Sequence, residues 1–241
     1  VVDPINIDNN GHTDLAVKYV RGPGGSGYEK ALQIYRNTTT VNSENGSLNT
    51  GFMLLSTIDL TYTVAQLNHC VSGDFNGDNI TEFLQIYKFN SQNTGGFIGH
   101  LNSLNQYVEG ENCFPAYFPA INDPFEVICA DFSGDGALDL AFFINENQNG
   151  MKVQFLLQDP ATSTFSTIVS INNLNLGHLD ASNSSNRILV GDYYGDGKAS
   201  VLYCPGDPGI PSAEYSYLIK LNNANEDRKS TRLNSSHGKL S

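Results

Sequence analysis

The sequence predicts an all-β fold built from about four repeats of a four-stranded antiparallel unit. Three observations point there. A short acidic loop recurs four times, runs of apolar, β-branched and aromatic residues of strand length flank the copies, and no segment sustains the 3.6-residue apolar period of a helix. The chain has 241 residues, 39% hydrophobic and 10% aromatic, enough for a sizeable core in one or two domains.

The loops read NIDNNGHTDLAV from Asn6, DFNGDNITEFLQ from Asp74, DFSGDGALDLAF from Asp131 and DYYGDGKASVLY from Asp192. Their intervals are 68, 57 and 61 residues, longer than a helical hairpin repeat and suited to four strands with their turns. Strand-length runs fill the space between loops. VICA (127–130) and ILVG (188–191) lead into loops and LAFFI (140–144) leaves one, while MKVQFLLQ (151–158) and STIVSI (166–171) are set off by the turn clusters NENQNG and DPATST.

Charge narrows the function. A formal net charge of −12 and a pI near 4.6 argue against nucleic acid or an anionic membrane, which need a basic footprint, and suit cations instead. No window approaches the roughly 18 apolar residues of a spanning helix, so membrane insertion is not expected of this fragment. The chain opens at Val1, and its start is silent on secretion.

The other end is unusual. DRKSTRLNSSH, Asp227 to His237, matches at every residue one reading frame of a common short-read sequencing adapter. Residues 227–241 are therefore set aside as a non-native tail, leaving 1–226 as the native fragment.

Within the loops, numbering from the first residue of each, alternate positions carry oxygen donors. In the third loop, positions 1, 3, 5 and 9 are Asp131, Ser133, Asp135 and Asp139, and Ala137 at position 7 can offer its carbonyl. A tight turn converges these oxygens, and Gly136 at position 6 permits the positive φ the turn demands. The set suits Ca²⁺, because Mg²⁺ prefers a strict octahedron and keeps more of its waters. The second loop offers Asp74, Asn76, Asp78, Ile80 (carbonyl) and Glu82, with Asn79 at the glycine position. The first offers Asn6, Asp8, Asn10, His12 (carbonyl) and Asp14. The fourth is weakest. It has Asp192 and Asp196, but Tyr194 at position 3 and Ser200 at position 9.

Two other readings of the loops are weaker. An EF-hand needs a Glu at position 12, where the four loops have Val17, Gln85, Phe142 and Tyr203. Solvated Asp-Gly hairpin turns would explain one copy, but not four at a nearly constant period, each leading into an apolar strand. No catalytic pattern emerges, and no enzyme is expected. GPGGSG (22–27) lacks the Lys-Ser/Thr end of a phosphate loop, and the native histidines His12, His69, His100 and His178 are scattered. Cys70, Cys113, Cys129 and Cys204 allow three disulfide pairings, among which the sequence does not choose, and sequons stand at Asn37, Asn45 and Asn183.

The units GDFNGDN, ADFSGDGALDL and GDYYGDGKA resemble FG-GAP/VCBS repeats, the blades of integrin-α-like β-propellers. The resemblance covers essentially all of 1–226. It implies a partial β-propeller of about four blades, four antiparallel strands per blade, with structural Ca²⁺ in the loop joining the first two strands. At about 62 residues per unit the fragment is roughly half of a ring of about seven blades, so the remaining blades of the same chain are expected partners. The implied role is a secreted or cell-surface interaction module that binds a protein or glycan through exposed loops such as 21–30 and 204–215. Alternatives are the scaffold propeller of a large toxin or Rhs-type polypeptide, or an accessory domain of a carbohydrate-active enzyme or phospholipase.

Overall fold

A computed structural model describes residues 2–21, 29–59, 69–88, 94–115, 118, 125–145, 151–174, 187–204, 215–221 and 231–234. The glycine-rich stretch 22–27, His178, Asn183 and most of the two expected contact loops lie outside them. The fold is all-β, four β-propeller blades of four antiparallel strands, with no helix among the described residues.

Blade 1 is β1 (Val2–Ile5), β2 (Asp14–Arg21), β3 (Glu29–Asn37) and β6 (Phe52–Asp59), with a two-stranded hairpin, β4 (Thr40–Val41) and β5 (Leu48–Asn49), inserted before its last strand. Blade 2 is β7 (His69–Gly73), β8 (Glu82–Lys88), β9 (Thr94–Leu101) and β10 (Tyr107–Asn112). Blade 3 is β11 (Phe125–Ala130), β12 (Asp139–Asn145), β13 (Met151–Asp159) and β14 (Thr164–Leu174). Blade 4 is β15 (Arg187–Gly191), β16 (Ser200–Cys204), β17 (Tyr215–Lys220) and β18 (Thr231–Asn234). Each acidic loop joins the first two strands of its blade. All five strand-length runs picked out in the sequence fall on strands, and β12 is buried along nearly its whole length, as a central strand covered on both faces should be.

β18 adds an element for which the sequence carries no expectation. It lies inside the segment set aside as a tail, yet Thr231–Asn234 pairs with Leu218–Tyr215 and completes blade 4. Ladder hydrogen bonds are made by the main chain, so the free edge of β17 accepts any chain able to extend, whatever its origin.

The chain divides into two units, 1–120 and 121–241, each holding two blades. In the first unit Ile5, Ile7, Ala16, Leu32, Ile34 and Ile58 of blade 1 pack with Cys70 and Phe83 of blade 2. In the second, Phe132, Ala141, Phe143, Met151, Val153 and Phe155 of blade 3 pack with Val201, Tyr203, Ile219 and Leu221. Two ring contacts organise this second core. Phe132 meets Phe155 edge-on at 5.1 Å between centroids, and Phe143 stacks on Tyr203 of the neighbouring blade at 6.2 Å.

Phe132 is the second residue of its loop, so the loop plugs the core with its own side chain. Ile7 and Phe75 occupy the same position in the first two loops and are buried too, whereas Tyr193 in the fourth is 45% exposed. Phe132→Ala should therefore lower unfolding free energy by about 3–5 kcal/mol, and Tyr193→Ala by less than about 1 kcal/mol, both read by denaturant titration.

Candidate metal centre

The loops share one backbone conformation, set by two positions. Position 6 takes positive φ in every copy, at Gly11 (81°), Asn79 (65°), Gly136 (90°) and Gly197 (79°), and position 4 does the same at Asn9 (53°), Gly77 (79°), Gly134 (82°) and Gly195 (68°). Only glycine and asparagine fill these eight places, as the left-handed region requires. The sequence reading identified position 6. Position 4 carried the same signal, an unbroken Asn/Gly column.

The acid at position 1 closes the loop on itself. Asp131 accepts the N–H groups of Gly134 (2.6 Å), Asp135 (3.2 Å) and Gly136 (2.9 Å), and Asp74 accepts those of Gly77, Asp78 and Asn79 at 2.7, 3.1 and 2.8 Å. Asp192 does the same with the N–H groups of Gly195, Asp196 (3.1 Å) and Gly197 (2.9 Å), and the Gly197 N–H is the main reason its carboxyl is held below the usual range. The position-5 acids take the N–H of position 7: Ile80 to Asp78 (2.7 Å), Ala137 to Asp135 (2.9 Å) and Lys198 to Asp196 (3.3 Å). In the first loop, with fewer acids, Asn6 accepts from Asn9 and Asn10 from His12.

Position 9 is different in kind. Asp14, Glu82 and Asp139 are buried at the first residue of the second strand, and each accepts the N–H of position 2: Ile7 (3.0 Å), Phe75 (2.8 Å) and Phe132 (3.0 Å). In blades 1 and 3 the other carboxylate oxygen takes an N–H from the third strand, Asn37 at 2.7 Å and Gln158 at 2.9 Å. The residue expected as a fourth side-chain ligand is thus also a bracket that ties loop to blade. Ser200 is too short for that work. Its hydroxyl is buried without a hydrogen-bond partner, and the Tyr193 N–H meets the Gly191 carbonyl at 3.1 Å as that of Phe132 meets the Ala130 carbonyl at 3.0 Å, but without the added carboxylate that Asp139 gives Phe132.

Where charge gathers, the bracket acids respond. Burial, with Asp78 and Asp74 close by, pushes Glu82 up to about 7 against the pull of the Phe75 N–H, and burial likewise raises Asp139. Asn76 Nδ2 lies 3.2 Å from Asp78 Oδ2 and 3.0 Å from Glu82 Oε1, so positions 3, 5 and 9 of the second loop meet around one point. A hydrogen-bond donor occupies that point, and its environment is the one a cation would take. Among the described residues no three His, Cys, Asp or Glu side chains form a ready-made ion cage, since the loop carboxylates turn towards backbone N–H groups.

The second and third loops fit Ca²⁺ by donor chemistry: each has three carboxylates, one neutral oxygen-bearing side chain and a raised acid that a cation would relieve. The first and fourth fit less well. Asp8 pairs with Arg36, Nε to Oδ2 2.9 Å, and Asp196 pairs with Lys220, whose ammonium also lies 4.5 Å from the centre of the Tyr194 ring. Compared with models of known protein families the chain matches none, and no curated protein matches it.

In the absence of divalent cations the raised Glu82 gives a signed pH dependence. Between pH about 4.5 and about 7 the folded chain holds a proton that the unfolded chain has released, so stability falls as pH rises through that window. Unfolding midpoints measured in chelator across this range should show the decline, and Glu82→Gln should flatten it. Asp139→Asn, which sets an amide N–H₂ against a backbone N–H, should cost about 1–3 kcal/mol by denaturant unfolding.

Proposed function

We propose that the chain is a calcium-stabilised β-propeller module of the FG-GAP/VCBS kind, part of a secreted or cell-surface protein, and that it binds protein or glycan partners rather than carrying out catalysis. The observation that carries the reading is the second loop, where Asn76, Asp78 and Glu82 meet at one point and the Glu82 carboxyl has its proton affinity raised by burial and, to a lesser degree, by Asp78 and Asp74. Asp74, Asn76, Asp78 and Glu82, and Asp131, Ser133, Asp135 and Asp139, would hold the ions. Bound there, Ca²⁺ supplies positive charge that offsets the crowded carboxylates and favours the folded state by mass action. The chain's own part is to set the loop: position 1 gathers the backbone N–H groups, position 2 anchors in the core and position 9 brackets the strands.

Extracellular siting agrees with such loops, because millimolar Ca²⁺ outside cells fills even modest sites. A binding role is supported by apolar side chains left in solvent on blade 1: Phe52, Met53 and Leu54 on β6 are about half exposed, and Val41 and Leu48 on the inserted hairpin more so.

Thermal unfolding of the full chain should shift upward with millimolar CaCl₂ and return with chelator, and the paired change Asp78→Ala with Asp135→Ala should abolish most of the shift. Indifference to chelator, with no calcium found by elemental analysis, would remove the calcium reading.

A further inference from the structure

The same place in each blade's third strand faces the start of its second strand, and what stands there differs. Ser200 pairs with Lys220. One step on from the pairs Leu15↔Tyr35, Phe83↔Gly99 and Leu140↔Leu156, Asp14 stands opposite Arg36, Glu82 opposite His100 and Asp139 opposite Leu157. Blades 1 and 4 therefore carry a permanent cation at this register position, while blades 2 and 3 carry a histidine and a leucine.

Both cations reach into their own blade's loop. Arg36 pairs with Asp8 at position 3, and both side chains are only about one-third exposed or less. Lys220 pairs with Asp196 at position 5, and its hydrogen bond is the main cause holding that carboxyl below the usual range. Its side chain is 18% exposed, and its ammonium sits over the Tyr194 ring. The tyrosine at position 3, which a metal loop does not use, is thereby given a role as the face that receives the ammonium. Ser200 fits the same pattern, since one protein cation and two carboxylates leave less negative charge to balance than three carboxylates would. Loop charge and strand charge vary together: the two loops with three carboxylates lack a permanent cation opposite position 9, and the two with fewer have one.

We infer that the chain supplies its own cation to the first and fourth loops, through Arg36 and Lys220, so that only the second and third loops draw one from solution. The second half of this statement rests on the calcium reading above; the first half does not.

The full chain is titrated with Ca²⁺ under equilibrium dialysis with elemental analysis, and with Tb³⁺ read by tyrosine-sensitised emission, which is clean because the chain has no tryptophan. Two ions per chain are expected. Asp8→Asn and Asp196→Asn should leave that number unchanged, Asp78→Asn and Asp135→Asn should each remove one ion, and Tyr194→Phe should leave the Tb³⁺ emission as it was. Three or four ions per chain, or an ion lost with Asp8→Asn or Asp196→Asn, overturns the inference. If no ion binds at all, the calcium reading and the second half fall together. A thermal cycle then decides the first half: the Lys220→Met, Asp196→Asn double variant should melt no lower than the less stable single variant, and additive losses would overturn it.

Discussion

A buried carboxylate at the start of the second strand is the constraint on which each of the first three blades depends. A carboxyl taken out of water is costly unless its oxygens are engaged. In blades 1 and 3 Asp14 and Asp139 engage both, one with the N–H of the loop's core-plugging residue and the other with the end of the third strand. The bracket fixes where the loop enters the sheet, and so where Ile7 or Phe132 enters the core. Blade 4 has no such acid: with Ser200 at the position, Tyr193 is exposed and the loop is tied by charge, through Lys220 and Asp196.

The loops also connect blades within each unit. The Asn6 carbonyl accepts the Thr81 N–H at 2.7 Å, and the Asp131 carbonyl accepts the Ala199 N–H at the same distance. In both cases position 1 of one loop meets position 8 of the next. The first unit adds to this, as Thr81 Oγ1 accepts the Asn6 N–H at 2.9 Å and Asn6 Nδ2 donates to the Asn79 carbonyl at 2.6 Å. Packing of Lys198 against Gly134 plays a comparable part in the second unit, where a Cβ on the glycine would come within 2.8 Å of the lysine side chain. Order in one loop is therefore transmitted to its neighbour by main-chain bonds, the nearest-neighbour coupling expected of stacked repeats.

Much of this was legible in sequence because it is local. The four-fold recurrence, the strand runs of blade 3 and the left-handed residue at Asn79 follow from composition and spacing over a dozen residues. The inserted hairpin β4–β5 and the double duty of position 9 were not. The first adds an element outside the repeat period, and the second requires knowing that Gln158 and Asn37, 19 and 23 residues downstream, return to the same acid. Arg36 and Lys220 were hidden for the same reason, since strand register alone brings them to their loops. β18 lay in a segment excluded on its resemblance to an adapter, and what places it is main-chain pairing with β17.

The most direct test of the bracket is amide hydrogen exchange resolved at individual residues in the full chain. The N–H groups of Ile7, Phe75 and Phe132, held by buried carboxylates, should exchange among the slowest, while that of Tyr193, whose blade has no bracket acid, should exchange much faster. Equal protection at all four positions would contradict the account, because it would mean that the loops are held in place without the acid at position 9.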